Sequence, residues 1–167
     1  IPGGYLPLQG TSMAAPHVAG ACAILKQAHP EWGPERIKAV LMNTAKLLMN
    51  TEGKTYRTYE QGAGRIQLDQ ALRAETLVLP ASLQFGKFQI ADRLHEHSSF
   101  IAVENISEKT QTYSFSVPYK AQGINWEMPM TFQLNPGDKK KVEIKMSADP
   151  TLLKKKIYDG YLLMKAG

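Results

Sequence analysis

The sequence predicts a helical region over residues 1–76 and an antiparallel β-sandwich over residues 80–167. Two observations predict this division. Apolar residues at helical spacing dominate the first region, and short runs of alternating apolar and polar residues dominate the second. The 167 residues suffice for one domain or two small ones. A hydrophobic content of 43% and a charged content of 21% are ordinary for a globular protein.

A long apolar run predicts the first helix, over about Thr11 to Ala28. The first permanently charged side chain after Ser12 is Lys26, which favours a helix that is buried rather than half exposed. Ser12 stands near the helix N-terminus, where unpaired backbone N–H groups and the helix dipole favour negative charge. The helix is expected to end at His29-Pro30, because a residue before proline avoids the α region.

Three residues inside this helix carry separate expectations. Pro16 is expected in or near the first turn, where no N–H partner is required. His17 lies five residues after Ser12, roughly 140° round the helix, so it is predicted to be structural rather than the base for that serine. Cys22 is the single cysteine, which excludes an internal disulfide and a multi-cysteine metal site. It is predicted to be a small buried hydrophobe.

Two further helices are predicted. Gly33-Pro34-Glu35 predicts the start of the second, because proline is favoured at the first helical position and an acid in the first turn. Trp32 is expected to anchor it. Its packing face is expected to hold Ile37, Val40, Leu41 and Ala45. Residues 46–61 are polar and rich in turn formers, and Leu68 to Leu72 are predicted as a last short helix.

Beyond Ser82 the sequence predicts six strands. Tyr113 and Phe115 alternate with serines, and Val142 and Ile144 alternate with charged residues, which is typical of sheets with one solvated face. The predicted strands cover residues 83–90, 98–105, 111–117, 128–134, 140–146 and 158–164. Regular short strands separated by turn residues such as Asn135-Pro136-Gly137-Asp138 are typical of an antiparallel sandwich.

The distribution of charged and histidine residues indicates whether nucleic acid or a metal ion is an expected partner. The net charge of +5 is spread along the chain, and the runs Lys139-Lys140-Lys141 and Lys154-Lys155-Lys156 are interpreted as solvated turns. They lack the aromatics and glycines of RNA-binding signatures, so no nucleic-acid partner is expected. The sequence predicts no membrane-spanning run, and no signal peptide is expected within these 167 residues. His95 and His97 have no evident third ligand, so they are predicted to lie in an exposed loop or at the start of a strand, and not at a metal.

Gly10-Thr11-Ser12-Met13-Ala14-Ala15-Pro16-His17 resembles the nucleophile motif of the subtilisin-like serine peptidases, the subtilases. A serine before an apolar helix is usually an N-cap, but the length of the motif favours a nucleophile. Ala14 separates it from the Gly-x-Ser-x-Gly elbow of α/β-hydrolases. Residues 29–45 resemble the following subtilase helix. Gln61-Gly62-Ala63-Gly64-Arg65-Ile66 resembles the glycine pair that closes the catalytic domain, and it lacks the third glycine of a dinucleotide-binding loop.

The second region resembles the fibronectin type III-like domain that follows the catalytic domain in many large secreted subtilases. The resemblance rests on Pro80 to Gly86, Val103-Glu104-Asn105 and Asp159-Gly160-Tyr161. It implies an α/β fragment, namely the C-terminal helices of a subtilisin-like doubly wound domain over residues 1–76. A fibronectin type III-like sandwich without its last strand would follow over residues 80–167. Such an unfilled edge is expected to promote self-association.

The resemblance also implies a function and a site. The parent protein would be an extracellular serine endopeptidase, secreted or associated with the cell wall, that acts on polypeptide substrates. Ser12 would be the nucleophile and its backbone N–H an oxyanion donor, with support from Thr11. Leu8 and Gln9 would border the primed side of the substrate cleft. No cofactor is implied for these residues, while calcium sites in the parent would lie elsewhere.

The sequence departs from the subtilase pattern in one respect. In that family the catalytic aspartate, the histidine and the oxyanion asparagine all precede the serine. Only eleven residues precede Ser12 here, and none of them is Asp, His or Asn. The 167 residues alone are therefore expected to be inactive, and the missing N-terminal part of the catalytic domain is an expected partner. Two alternatives remain: a non-catalytic sandwich that binds a protein or cell surface, and a stabilising half that complements a separate chain.

Overall fold

The computed structural model describes residues 2–87, 94–117 and 120–167. Its helices are α1 (Thr11–Ala28), α2 (Pro34–Asn43), α3 (Thr58–Gln61) and α4 (Leu68–Leu72), with short 3-10 turns at Pro2–Gly4 and Pro150–Leu152. Its strands are β1 (Thr76–Leu79), β2 (His95–Asn105), β3 (Gln111–Ser116), β4 (Ile124–Glu127), β5 (Thr131–Leu134), β6 (Lys139–Ala148) and β7 (Leu163–Ala166). The predicted bounds of α1 and α4 and the predicted start of α2 are confirmed.

The burial predicted for α1 is wrong. Of its side chains only Ala21 and Leu25 are buried, whereas Val18 and Ile24 are 41% and 45% exposed. The helix packs along one side only, against α2 and α4. An apolar run indicates that a surface tends to be covered, but it does not identify the covering element. In the part of the chain that the structure describes, one flank of α1 faces solvent.

Pro16 lies deeper in α1 than the sequence suggested. It is the sixth residue of the helix rather than part of the first turn. In an α-helix the N–H of residue 16 would donate to the carbonyl of Ser12, and proline has no N–H. The Ser12 carbonyl therefore lacks its usual partner within the helix.

A helical core forms where α1, α2 and α4 meet β1. Its buried members are Ala21, Leu25, Trp32, Ile37, Val40, Leu41, Ala71 and Leu77. The predicted anchoring role of Trp32 is confirmed, because its ring stacks on His29 at 3.9 Å and lies under the Arg36 guanidinium at 5.5 Å. Cys22 packs at the margin of this core and is half-buried rather than fully buried.

The strands form two antiparallel sheets, with the orders β1-β2-β6-β4 and β5-β3-β7. Their inner faces share one apolar core, whose buried members are Ile101, Val103, Tyr113, Phe115, Leu134, Val142 and Ile144. Residues 101 and 142 are paired across β2 and β6, and residues 113 and 132 across β3 and β5. The predicted antiparallel sandwich is confirmed at this level. The fibronectin type III-like assignment and the missing last strand stay predictions.

Several strand predictions are corrected. The described residues form seven strands, whereas six were predicted. Two of the seven, β1 and β4, were not expected. Residues 83–87 are not in a strand, and residues 88–90 of that prediction lie outside the described residues. The strands predicted at 128–134 and 158–164 are shorter or displaced, at β5 and β7. A strand depends on its partner, as in the pairing of β4 with β6, and local alternation does not reveal that partner.

One group of side chains also lies elsewhere than predicted. Lys139, Lys140 and Lys141 belong to β6 and not to a turn, with Lys140 over the Phe132 ring at 4.8 Å and Lys141 over Phe100 at 4.0 Å. His95 and His97 lie at the start of β2, which is one of the two positions predicted for them. The side chains of Lys140 and Lys141 thus cover aromatic surface, as long amphipathic side chains commonly do.

Asn105 ties the two sheets together at the end of β2. The side chain is fully buried, and its Nδ2 donates to the carbonyls of Lys109 at 2.8 Å and Leu134 at 3.0 Å. Its Oδ1 accepts from the backbone N–H of Ser107 at 3.0 Å and from the Ser107 hydroxyl at 2.7 Å. The buried amide is therefore hydrogen-bonded through both its oxygen and its nitrogen, as a buried polar group must be.

Asn105→Ala should lower the free energy of unfolding by about 2–3 kcal/mol, because it removes the hydrogen bonds of a fully buried side chain, including those to the Leu134 carbonyl and the Ser107 N–H. Urea unfolding measures the loss. Asn125→Ala, at an exposed position on β4, is the matched control and should stay within about 0.5 kcal/mol of wild type. Equal losses in the two variants would contradict the role given to Asn105.

β1 lies at the predicted boundary between residues 1–76 and 80–167 and contacts both regions. Leu77 is fully buried in the helical core, while Val78 packs against the sandwich core. The Val78 N–H donates to Asn43 Oδ1 of α2 at 2.8 Å. Nearby, Arg36 of α2 forms a bidentate ion pair with Glu104 of β2, with both N–O distances 3.0 Å. The helical region is therefore attached to the sandwich through β1 and α2.

A second attachment joins the chain after Pro150–Leu152 to α3. The Arg57 guanidinium pairs with the Asp159 carboxylate, and that carboxylate also accepts from the Thr58 N–H at 2.8 Å and its hydroxyl at 3.0 Å. These donors hold the pKa of Asp159 below its usual value: the Arg57 hydrogen bond has the largest effect, and burial opposes it.

Asp159 should make stability depend on pH in the acid range. A carboxyl with a lowered folded-state pKa contributes stability that is fully present above its unfolded pKa, about 3.9, and is lost as pH falls through the folded pKa. The stability difference between wild type and Asp159→Asn should thus be constant between about pH 7 and 5 and shrink below pH 4. Urea unfolding at pH 7, 5 and 3 measures it. The same difference at pH 3 and pH 7 would contradict the assignment.

Candidate active site

Ser12 occupies the second position of α1 and is exposed to solvent. The helix begins without a side-chain cap, and the backbone N–H groups of Met13 and Ala14 donate to the Gly10 carbonyl at 3.0 and 3.2 Å. Ser12 is therefore a helical residue and not the N-cap. The N–H groups that come first in a helix have no acceptor within it, so those of Thr11 and Ser12 are available for a developing negative charge.

His17 is hydrogen-bonded within its own helix. Its Nδ1 lies 2.6 Å from the Met13 carbonyl oxygen, although the ring is exposed rather than buried. Within residues 2–87, 94–117 and 120–167, no histidine or carboxylate side chain hydrogen-bonds to the Ser12 hydroxyl. A serine hydroxyl is a weak nucleophile without a neighbouring base. The described residues thus place an exposed serine hydroxyl at a helix N-terminus, with no base hydrogen-bonded to it among them.

The other predicted site residues precede or begin α1. Thr11 is its first residue and is exposed, and Gln9 is exposed in the irregular chain before it. Leu8 is 64% exposed, and Leu6 is similarly uncovered. These residues are near Ser12 because they immediately precede it in the sequence. Their roles in substrate binding and oxyanion support stay predictions.

The glycine pair singled out in the sequence lies near the end of the segment between α2 and α4, where a backbone bridge closes that segment into a loop. Lys46 and Arg65 form a backbone bridge with N–O distances of 2.8 and 2.9 Å. Gly64 lies against it with a φ of +118°, and a Cβ on Gly64 would come 2.4 Å from the Lys46 carbonyl oxygen. The glycine is required by this close approach, which the sequence showed only through a family resemblance.

The described residues contain no group of three or more His, Cys, Asp or Glu side chains arranged to hold a metal. Among the helices described, none combines the length and the apolar character needed to cross a bilayer. Sequence reasoning missed the contact between Arg57 and Asp159, which lie 102 residues apart, and no local pattern could have signalled it.

Residues 2–64 match the model of the subtilase family, peptidase S8. These residues belong to the subtilase family. The matched subtilase segment includes Ser12, the whole motif around it and the glycine pair, and it ends before β1. Within the segment, α1 carries the nucleophile motif at its N-terminus.

The subtilase segment has relatives among bacterial and plant proteases. The minor extracellular protease Vpr of Bacillus subtilis (strain 168) is 33% identical over 166 residues, which is 99% of this chain and 21% of that protein. The subtilisin-like protease SBT1.6 of Arabidopsis thaliana is 42% identical over 73 residues, which is 39% of this chain and 10% of that protein. The CO(2)-response secreted protease of Arabidopsis thaliana is 44% identical over 69 residues, 37% of this chain and 9% of its own. The chain spans about a fifth or less of the length of these relatives.

A solved structure of a FixG-related protein from Vibrio parahaemolyticus aligns with 55% of this chain and 90% of its own. The TM-score is 0.35 and the sequence identity 18%.

Proposed function

We propose that these residues are the C-terminal part of the catalytic domain and an appended sandwich of a subtilisin-like serine endopeptidase, with Ser12 as its nucleophile. One observation carries the proposal. The serine of a long subtilase motif stands at the second residue of α1, inside the segment that matches the family. An N-cap serine would have only a structural role, and Ser12 is not the N-cap.

The mechanism follows that of the serine triad. The Ser12 hydroxyl oxygen attacks the carbonyl carbon of the scissile peptide bond, and a histidine accepts its proton. The carbonyl oxygen becomes an oxyanion, which the free N–H of Ser12 at the start of α1 is placed to stabilise. The histidine then protonates the leaving amine, and water hydrolyses the acyl-enzyme to release the acid and restore Ser12.

The histidine and aspartate of this mechanism come from outside the 167 residues. His17 is engaged with the Met13 carbonyl and is not the base. The solvent-facing flank of α1, with Val18 and Ile24, is a surface that the remainder of a catalytic domain would cover. The chain of 167 residues should therefore lack useful peptidase activity by itself, since triad members act as a unit.

The names of the relatives support an extracellular location and a polypeptide substrate. The Bacillus subtilis relative is an extracellular protease, and an Arabidopsis thaliana relative is a secreted protease. We place the parent protein outside the cell, secreted or associated with the cell wall. Any calcium sites of the parent would lie outside these residues.

A fluorophosphonate probe tests the proposal, because it reacts covalently with an activated serine hydroxyl. In the full-length protein we expect one adduct, on the peptide that contains Ser12, and no adduct in Ser12→Ala. The isolated 167 residues should label far more slowly, since no base is present. Labelling of another serine, or equal labelling of the isolated chain, would overturn the assignment.

A further inference from the structure

Asp159 is the centre of a contact between two parts of the chain that are distant in sequence. Its side chain is only 11% exposed. Oδ1 accepts from Arg57 Nε at 2.6 Å and from Arg57 Nη2, and Oδ2 accepts from the Thr58 N–H and hydroxyl. Arg57 Nη2 also lies 3.4 Å from the Ile157 carbonyl oxygen. Charge-assisted bonds of this kind are stronger than neutral ones.

Both ends of α3 are held by this segment. The Asp159 carboxylate binds the backbone N–H of Thr58, the first residue of α3. At the other end, the Tyr161 hydroxyl donates to the carbonyl of Gly62, the residue that follows α3, at 3.1 Å. A helix of four residues has few hydrogen bonds of its own, so external partners determine whether it persists.

α3 in turn organises the loop between α2 and α4. Gln61 Oε1 accepts from the Leu48 N–H at 2.8 Å, and Gln61 Nε2 donates to the Tyr56 carbonyl at 2.8 Å. The same loop contains the bridge between Lys46 and Arg65, beside Gly64. Contacts that hold α3 in place therefore also stabilise the loop of residues 46–65, through Gln61.

We propose that residues 157–161 form a brace, by which the sandwich stabilises the loop 46–65 of the subtilase segment. The sandwich would thus serve the same chain as an internal stabiliser, in addition to any ligand it binds. A module attached only through β1 and α2 would have one point of attachment, and the brace supplies a second. The inference concerns folding and does not depend on the chemistry assigned to Ser12.

Amide hydrogen exchange on the full chain tests the brace. We compare wild type with Asp159→Ala and with a control, Asp149→Ala. Asp149 is also a carboxylate with a hydrogen-bonded role, since its Oδ1 accepts from the Thr151 N–H at 3.0 Å and hydroxyl at 2.6 Å, but those partners lie near it in the chain. We expect amides of residues 57–62 to exchange at least about tenfold faster in Asp159→Ala and to be unchanged in Asp149→Ala.

Two results would overturn the brace. One is exchange over residues 57–62 in Asp159→Ala that stays within about twofold of wild type. The other is an equal acceleration in Asp149→Ala, which would indicate general loss of stability. If Asp159→Ala does not fold, Tyr161→Phe decides, because it removes only the hydroxyl on the Gly62 carbonyl. Exchange over residues 57–62 should then rise about threefold, and no change would refute the brace.

Discussion

Ser12→Ala in the full-length peptidase should lower kcat for peptide hydrolysis by about four to six orders of magnitude, while KM changes little. In the proposed mechanism the hydroxyl forms the covalent bond to the substrate, so its loss would remove the acyl-enzyme route altogether. The residual rate would come from substrate binding and oxyanion stabilisation, which alanine leaves in place. In subtilisin, removal of the catalytic serine lowers kcat by about six orders of magnitude.

Ser98→Ala is the matched control for that experiment. Ser98 is an exposed serine on β2, and its replacement should leave kcat within about twofold of wild type. Steady-state hydrolysis of a fluorogenic peptide by purified, folded variants measures both. Hydrolysis by Ser12→Ala at the wild-type rate would mean that another residue is the nucleophile.

Gly64→Ala should destabilise the chain by more than about 3 kcal/mol, the largest stability effect that we expect from one methyl group. Two costs add. The φ of +118° is strained for any residue with a Cβ, and the new carbon would lie 2.4 Å from the Lys46 carbonyl oxygen and 2.8 Å from its carbon. Both neighbours are backbone atoms of the bridge with Arg65, so they cannot move aside as a flexible side chain would.

Gly53→Ala separates the two costs. Gly53 lies in the same loop and also has a positive φ, +75°, but a Cβ on Gly53 would have no neighbouring atom within 4 Å. Its replacement should cost about 1–2 kcal/mol, the conformational part alone. Urea unfolding at pH 7 compares the two variants. Equal losses would show that the close approach to Lys46 contributes nothing.

The helices α1, α2 and α4 could be predicted because their signals are local. Pro34 and Glu35 mark the start of α2, His29-Pro30 ends α1, and the spacing of apolar residues indicates the packing face of α2. The four-residue α3 has no such signal and was not predicted. The motif at Ser12 could likewise be found because it is contiguous. Its position on the helix follows from counting residues, and so does the separation of His17 from it.

What could not be predicted depends on contacts between distant residues. β4 forms because Asn125 pairs with Ser147, and the brace forms because Arg57 meets Asp159. Neither pairing leaves a periodic or capping signal in the local sequence. The exposure of α1 has a related cause, since an apolar helix is consistent with any covering partner, and composition does not say where that partner lies.

The position of β1 has a practical consequence for dividing this protein. A sandwich expressed from residue 80, the predicted boundary, would lose β1 and leave residues 102–105 of β2 with unpaired N–H and carbonyl groups. The complementary helical piece, if cut before Thr76, would lose Leu77 from its core. Division of the chain at the predicted boundary should therefore yield two aggregation-prone products. We expect a soluble sandwich only from a piece that begins upstream of Thr76.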